Sequence, residues 1–100
     1  MTYSQDMCYV WDSEKEAANL ARHGVDFATA TQVFADPNAL TDYDAEHSRE
    51  GEDRWTTIGM VGGILMLVRV TWADRDDDNT IRIISARLAD PKDRALYLDG

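Results

Sequence analysis

The chain has 100 residues, with 19 acidic against 10 basic side chains and a formal net charge of −9. That length supports one small domain, residues 1–100, burying only roughly 60–70% of the surface its unfolded form exposes. A hydrophobic content of 44% with three Trp and four Tyr argues against global disorder, and the lone Cys8 excludes an internal disulfide. The longest apolar run, Ile64 to Val68, is far too short to cross a bilayer. Met1 to Val10 lacks a basic stretch followed by an apolar one, so no signal peptide is expected and the cytoplasm is the default compartment.

In chain order, a short strand around Cys8 to Trp11 leads into Ser13-x-x-Glu16, a capping-box pattern for a helix start. This helix carries Ala17, Leu20 and Ala21 on one face and ends at Gly24. A second helix is expected with Asp26 as N-cap, burying Phe27, Ala30, Val33 and Phe34, and stopping at Asp36-Pro37. Asn38 to Asp53 reads as loop, with room for a short strand near Leu40.

Three strands follow. The first covers Arg54 to Met60 and turns at Val61-Gly62-Gly63, where glycine tolerates positive φ, giving a hairpin. In the second, alternation puts Ile64, Met66, Val68, Val70 and Trp72 on the core face, opposite Leu65, Leu67, Arg69 and Thr71. In the third, the same alternation separates Ile81, Ile83, Ser85 and Arg87 from Arg82, Ile84 and Ala86. Asp90-Pro91 opens a C-terminal helix through Leu98, on which Tyr97 is expected to pack as Leu88, Leu96 and Leu98 do. The class is α+β.

Charge is unevenly spread. Carboxylates crowd Asp36 to Asp53 and Asp74 to Asp78, while seven of the ten basic residues fall in the second half, so a local cationic cleft fits on an acidic body. Arg54, Arg69, Arg82 and Arg87 sit at or inside strands, and an arginine fork can grip two phosphate oxygens while staying charged. The plain alternative for each is an ion pair with one of the carboxylates. His47, in Asp44-x-x-His47-Ser48 just before the Arg54 strand, is placed to move a proton, or else to cap its loop. His23 precedes Gly24, where a cation suits the helix C-terminal dipole. Asp74, Asp76 and Asp78 have the spacing of the first calcium-loop ligands, but Asn79 stands in place of the turn glycine and Ser85 in place of the closing glutamate, so a solvated hairpin tip is expected.

Several separated blocks run together across the chain: Trp11-Asp12 with Lys15 and Asn19, His23-Gly24-Val25 with Phe27, Val33-Phe34 with Asp36-Pro37, His47-Ser48 followed by Arg54, Ile58-Gly59, and Ile81 to Arg87. In these blocks, from about Tyr9 to Tyr97, the chain resembles the BrnT family, the toxin half of the BrnT/BrnA type II toxin–antitoxin system, similar in fold to the RelE ribonucleases. It departs from that pattern at Arg22, where lysine is common, and in a longer, more acidic segment from Thr71 to Asn79.

The resemblance implies a RelE-like α+β fold with two N-terminal helices, an antiparallel sheet of three to four strands and a C-terminal helix. It implies a metal-independent, cofactor-free endoribonuclease that cleaves RNA by 2′-hydroxyl attack and inhibits translation. Arg54 and Arg87 would bind and neutralise phosphate, Arg82 would assist, and His47 would move the proton; Arg94 and Tyr97 are candidates by fold analogy only. The implied partner is a BrnA-like ribbon-helix-helix antitoxin, with operator DNA reached only through it. The acidic balance and the altered turn favour an alternative, a catalytically weak antitoxin-binding module in operon autoregulation. A third reading is a small interaction domain unrelated to RNA.

Overall fold

The computed structural model describes residues 7–62, 66–74 and 79–99. Gly63 and Ile64 of the expected turn and strand, and Asp76 and Asp78 of the calcium-like spacing, lie outside the described residues.

The first helix, α1 (Ser13–His23), starts one residue earlier in its capping than the sequence pattern suggests. Asp12, not Ser13, is the cap: its carboxylate accepts from the Glu14 and Lys15 amides at 2.8 and 3.2 Å. Glu16 therefore does not reach back in a capping box. One of its oxygens accepts from Trp11 Nε1 at 3.1 Å and the other from the Phe27 amide at 2.9 Å, joining the segments that precede and follow the helix. The helix closes on Gly24 in the left-handed region, φ 74°.

The expected apolar face of α1 is not its docking face. Ala17, Leu20 and Ala21 are exposed, and the buried residue is Asn19. Its amide donates to the carbonyls of Val25 and Ala86 at 3.0 and 2.8 Å and accepts from the Ala86 amide at 3.1 Å. A single asparagine thus satisfies the outer backbone edge of a strand that would otherwise be orphaned there.

Asp26 caps α2 (Phe27–Ala30), which tightens at once into a 3-10 helix, Thr31–Ala35. The expected single helix is split because β-branched residues recur at Thr29, Thr31 and Val33 and the Thr31 hydroxyl donates to the Ala28 carbonyl at 2.7 Å, competing with the regular ladder.

The strands are β1 (Cys8–Val10), β2 (Leu40–Tyr43), β3 (Arg54–Val61), β4 (Met66–Asp74) and β5 (Thr80–Leu88), in spatial order β1-β5-β4-β3-β2. The sheet has five strands instead of three to four, and it is mixed: β1 runs parallel to β5, pairing with Thr80–Arg82, while every other pairing is antiparallel. The parallel pairing brings the chain start beside a strand some seventy residues away, and three residues carry no periodic signal for it.

One face of this sheet packs on α1, α2 and the 3-10 helix through Phe27, Ala30, Val33, Val68, Val70 and Ile83. Gly59 is required at this contact, since a Cβ there would fall 2.8 Å from both the Cβ and the carbonyl oxygen of Val33. The other face is covered only in part. Helix α3 (Pro91–Asp99) lies over Ile58, Leu67 and Ala89, with Met60 and Tyr97 at the rim. Among the described elements, α3 is the helix that packs on that face.

Candidate active site

Residues directly opposed on neighbouring strands share a face. The register sets Arg54, Ala73 and Arg82 in one row across β3, β4 and β5, and Ile58, Arg69 and Arg87 in another. Thr56, Thr71 and Ser85 form the row between them. All four strand arginines therefore emerge on the face that α3 leaves partly open.

Simple alternation would put Arg82 and Arg87 on opposite faces, as expected from the sequence. A bulge in β5 corrects this: Thr71 pairs with Ser85 but Trp72 with Ile83, so Ile84 is the extra residue. Ile81, Ile83 and Ala86 all reach the helix-covered core, and Arg87 is switched to the side of Arg82.

Each arginine pair closes on one carboxylate. Glu52 accepts from Arg54 Nε at 3.1 Å and from an Arg82 terminal nitrogen at 2.6 Å. The Arg82 and then the Arg54 hydrogen bonds hold the Glu52 carboxyl below the usual range. A tight turn places it: the Arg49 and Glu52 backbones exchange two hydrogen bonds of 2.9 Å around Gly51 at φ 84°. On α3, buried Asp93 accepts from Arg87 at 2.8 Å and lies 3.7 Å from Arg69. Asp90 caps the same helix by accepting from the Asp93 amide at 2.8 Å.

The structure thus joins Arg54 with Arg82, and Arg87 with Arg69 instead. The two rows are about 13 Å apart along β4, four residues at about 3.3 Å each. The terminal nitrogens of Arg54 have no partner among the described residues, leaving its fork open.

His47 is tied to the Arg54 row through the backbone. The Asp44 amide donates to the Arg54 carbonyl at 2.8 Å, and the Ser48 hydroxyl accepts from the Arg54 amide at 2.8 Å while donating to the Asp44 carbonyl at 2.7 Å. Within that loop the nearly buried Asp44 carboxylate bonds His47 Nδ1 at 2.9 Å. This contact favours the tautomer protonated on Nδ1, leaving Nε2 with a lone pair at the exposed end of the ring. Asp44 also borders a cleft of about 300 Å³ between β2 and α3, floored by Thr56, Ile58 and Arg69 and reached by Lys92.

Tyr97 belongs to a different arrangement. Its hydroxyl donates to Asp36 at 2.6 Å, and Asp36 also accepts from the Met60 and Asn38 amides. Burial alone would raise the Asp36 pKa; the Tyr97, Met60 and Asn38 hydrogen bonds together outweigh it and bring it below the usual range, while the bond to Asp36 raises that of Tyr97. Tyr97 is a latch for α3. It turns inward while Leu96 and Leu98 stay exposed, and its bond is to Asp36, not to a strand arginine among the described residues.

Residue type and spacing do not mark Glu52, Asp93 or Asn19 as site residues. Glu52 lies two residues before Arg54 and was legible as a local ion-pair partner; Asp93 and Asn19 meet their partners only through the fold. Among the described residues no helix is long and apolar enough to cross a membrane.

Fold and face together define a small α+β domain built around an arginine-bearing sheet. The chain belongs to the BrnT family, described as the ribonuclease toxin BrnT of a type II toxin–antitoxin system, whose family model matches residues 11–93. That family is one of ribonuclease toxins, and a type II system pairs its toxin with an antitoxin. A comparison with curated proteins finds no match.

Proposed function

We propose that this chain is a metal-independent endoribonuclease toxin that cleaves RNA by attack of a ribose 2′-hydroxyl on the adjacent phosphate. The observation that carries the reading is the pairing of Arg54 and Arg82 on one carboxylate, beside an Asp44–His47 pair fixed to the Arg54 backbone. Glu52 holds the two guanidiniums in place without using up the Arg54 fork, so charge developing on the phosphate meets donors that are already oriented. His47 Nε2 accepts the 2′-hydroxyl proton, the 2′-oxygen bonds phosphorus, and the 5′-oxygen leaves, giving a 2′,3′-cyclic phosphate end. Arg87, with Arg69, grips a phosphate further along the strand.

In this reading a BrnA-like ribbon-helix-helix antitoxin neutralises the chain in the cytoplasm, operator DNA is engaged only through it, and RNA cleavage inhibits translation. A net charge of −9 suits a basic, DNA-binding partner. One observation favours a second reading, a catalytically weak antitoxin-binding module: each strand arginine already meets a carboxylate, which lowers the positive field an RNA would encounter.

The test is cleavage of RNA by the antitoxin-free chain in EDTA, beside an Arg54→Ala/Arg87→Ala variant verified as folded. Cleavage by the parent and its loss in the variant support the enzyme. If the folded parent cuts neither free RNA nor ribosome-bound message, the module reading replaces it.

A further inference from the structure

The four strand arginines are each met by a carboxylate, but a second group of basic residues is not. Lys15, Arg22 and His23 line a groove of about 440 Å³ between α1 and β5, together with Asn19, Ile84 and Ser85. Among the described residues no aspartate or glutamate lines it, and none of the three basic side chains makes a hydrogen bond or ion pair. On a chain of net charge −9, an uncompensated basic groove requires a reason.

Helical spacing puts Lys15, Asn19 and Arg22 with His23 on one stripe of α1. Arg22 and His23 stand in the last turn, where the helix dipole favours a cation, so their presence alone is accounted for by the helix. Lys15 stands in the first turn, where the dipole opposes it. The helix gives Lys15 no return, and neither does an ion pair.

The groove is also fixed in shape. Buried Asn19 holds α1 to β5 through both backbone groups of Ala86. Because β1 pairs with Thr80–Arg82, no strand among the described residues covers the outer edge of β5 beyond that point. The bulge lies on this stretch. Arg82 and Arg87 project from it onto the open face, while the bulged Ile84 lines the groove at the strand's outer edge. The arginine face and the groove thus share one strand segment.

We propose that the α1–β5 groove is a second phosphate-binding site, taking backbone phosphates of the same RNA strand that lies on the arginine face after it passes the outer edge of β5. The proposal rests on the endoribonuclease reading. Recognition is by charge and is independent of base sequence, with Lys15 and Arg22 as the phosphate contacts.

The experiment is binding of a single-stranded RNA carrying 2′-O-methyl groups, which cannot be cut by 2′-attack, to the parent and to Lys15→Ala/Arg22→Ala, over a salt series. Cleavage of unmodified RNA at saturation is measured in parallel. Both replaced side chains are exposed and, among the described residues, unpaired, and circular dichroism checks that the variant is folded. The expected result is an affinity loss of about tenfold at low salt, a log–log salt slope shallower by about 0.7 to 1.4 for one or two lost phosphates, and an unchanged saturated cleavage rate. Lys15→Arg/Arg22→Lys restores the slope. A variant with the parent's affinity and slope overturns the groove while leaving the nuclease intact, as does a variant that loses only antitoxin binding. A parent that binds no RNA at any salt overturns the nuclease reading itself, and the groove with it.

Discussion

The two faces of the sheet are built by opposite means. Against α1 and α2 the sheet is sealed by branched aliphatics and by rings in contact: Tyr9 stacks on Phe34 at 5.4 Å, Phe34 meets Trp72 edge-on at 5.7 Å, and Trp11 meets Phe27 edge-on at 6.0 Å. Against α3 the apolar cluster is small, Ile58, Leu67 and Ala89, and four arginines with their carboxylates take up much of the remainder. Close-packed apolar contacts carry stability without directing chemistry, whereas ion pairs contribute little stability but set the positions of charge. If the open face handles RNA as proposed, substitutions on the two faces should separate folding from RNA handling.

The largest effect is expected on the sealed face. Phe27 is fully buried, so Phe27→Ala should cost about 3–5 kcal/mol in denaturant unfolding. Gly59→Ala should also destabilise, by about 1–3 kcal/mol, because the new methyl meets Val33 backbone, which cannot swing away. A loss under about 1 kcal/mol for either would break the comparison. Asn19→Ala comes next, at about 1–3 kcal/mol, since it leaves the Ala86 amide and carbonyl and the Val25 carbonyl without their partner. Faster hydrogen exchange at the Ala86 amide would locate the damage.

How far the sequence reveals these faces depends on the range of the interaction that decides each one. Alternation in β3 and β4 is local, so the core face of Val68, Val70 and Trp72 and the opposite placement of Arg69 are legible. The stops at Gly24 and Pro37 and the start at Pro91 are local as well. The β5 bulge is not, because Ile83, Ile84 and Ser85 are all acceptable strand residues and nothing marks one as extra; yet it alone decides the face of Arg87. Arg54, Arg82 and His47 were legible as candidates by residue type. Their grouping was not: Glu52 meets Arg82 thirty positions away, and the Arg69 partnership of Arg87 runs through Asp93 on another element.

On the open face, Glu52→Gln should change stability by no more than about 1 kcal/mol, because the pair is partly exposed. Its larger consequence is positional. The neutral amide holds Arg54 and Arg82 less firmly, so cleavage at saturating RNA should fall while thermal stability scarcely moves. A variant that unfolds like Asn19→Ala would mean that the open face bears load as well, and the contrast between the faces would fail.

The smallest effect is the acid dependence of that same carboxylate. The folded Glu52 pKa is depressed, by the Arg82 and then the Arg54 hydrogen bonds, below the value it has in the unfolded chain. The unfolded state then binds a proton more readily than the folded one, so the contribution is present above the ordinary glutamate range and is lost as pH falls through the depressed value. Asp36 behaves in the same sense, with Tyr97 and two amides holding its charged form. The two are separable by substitution: Glu52→Gln should flatten part of the acid limb of a stability-versus-pH curve and leave the Asp36 part, while Tyr97→Phe should weaken the Asp36 part alone. If Glu52→Gln leaves the acid limb unchanged, the ion pairs of the open face are carrying no folding energy at all, and the division between the faces is sharper than the hydrogen bonds indicate.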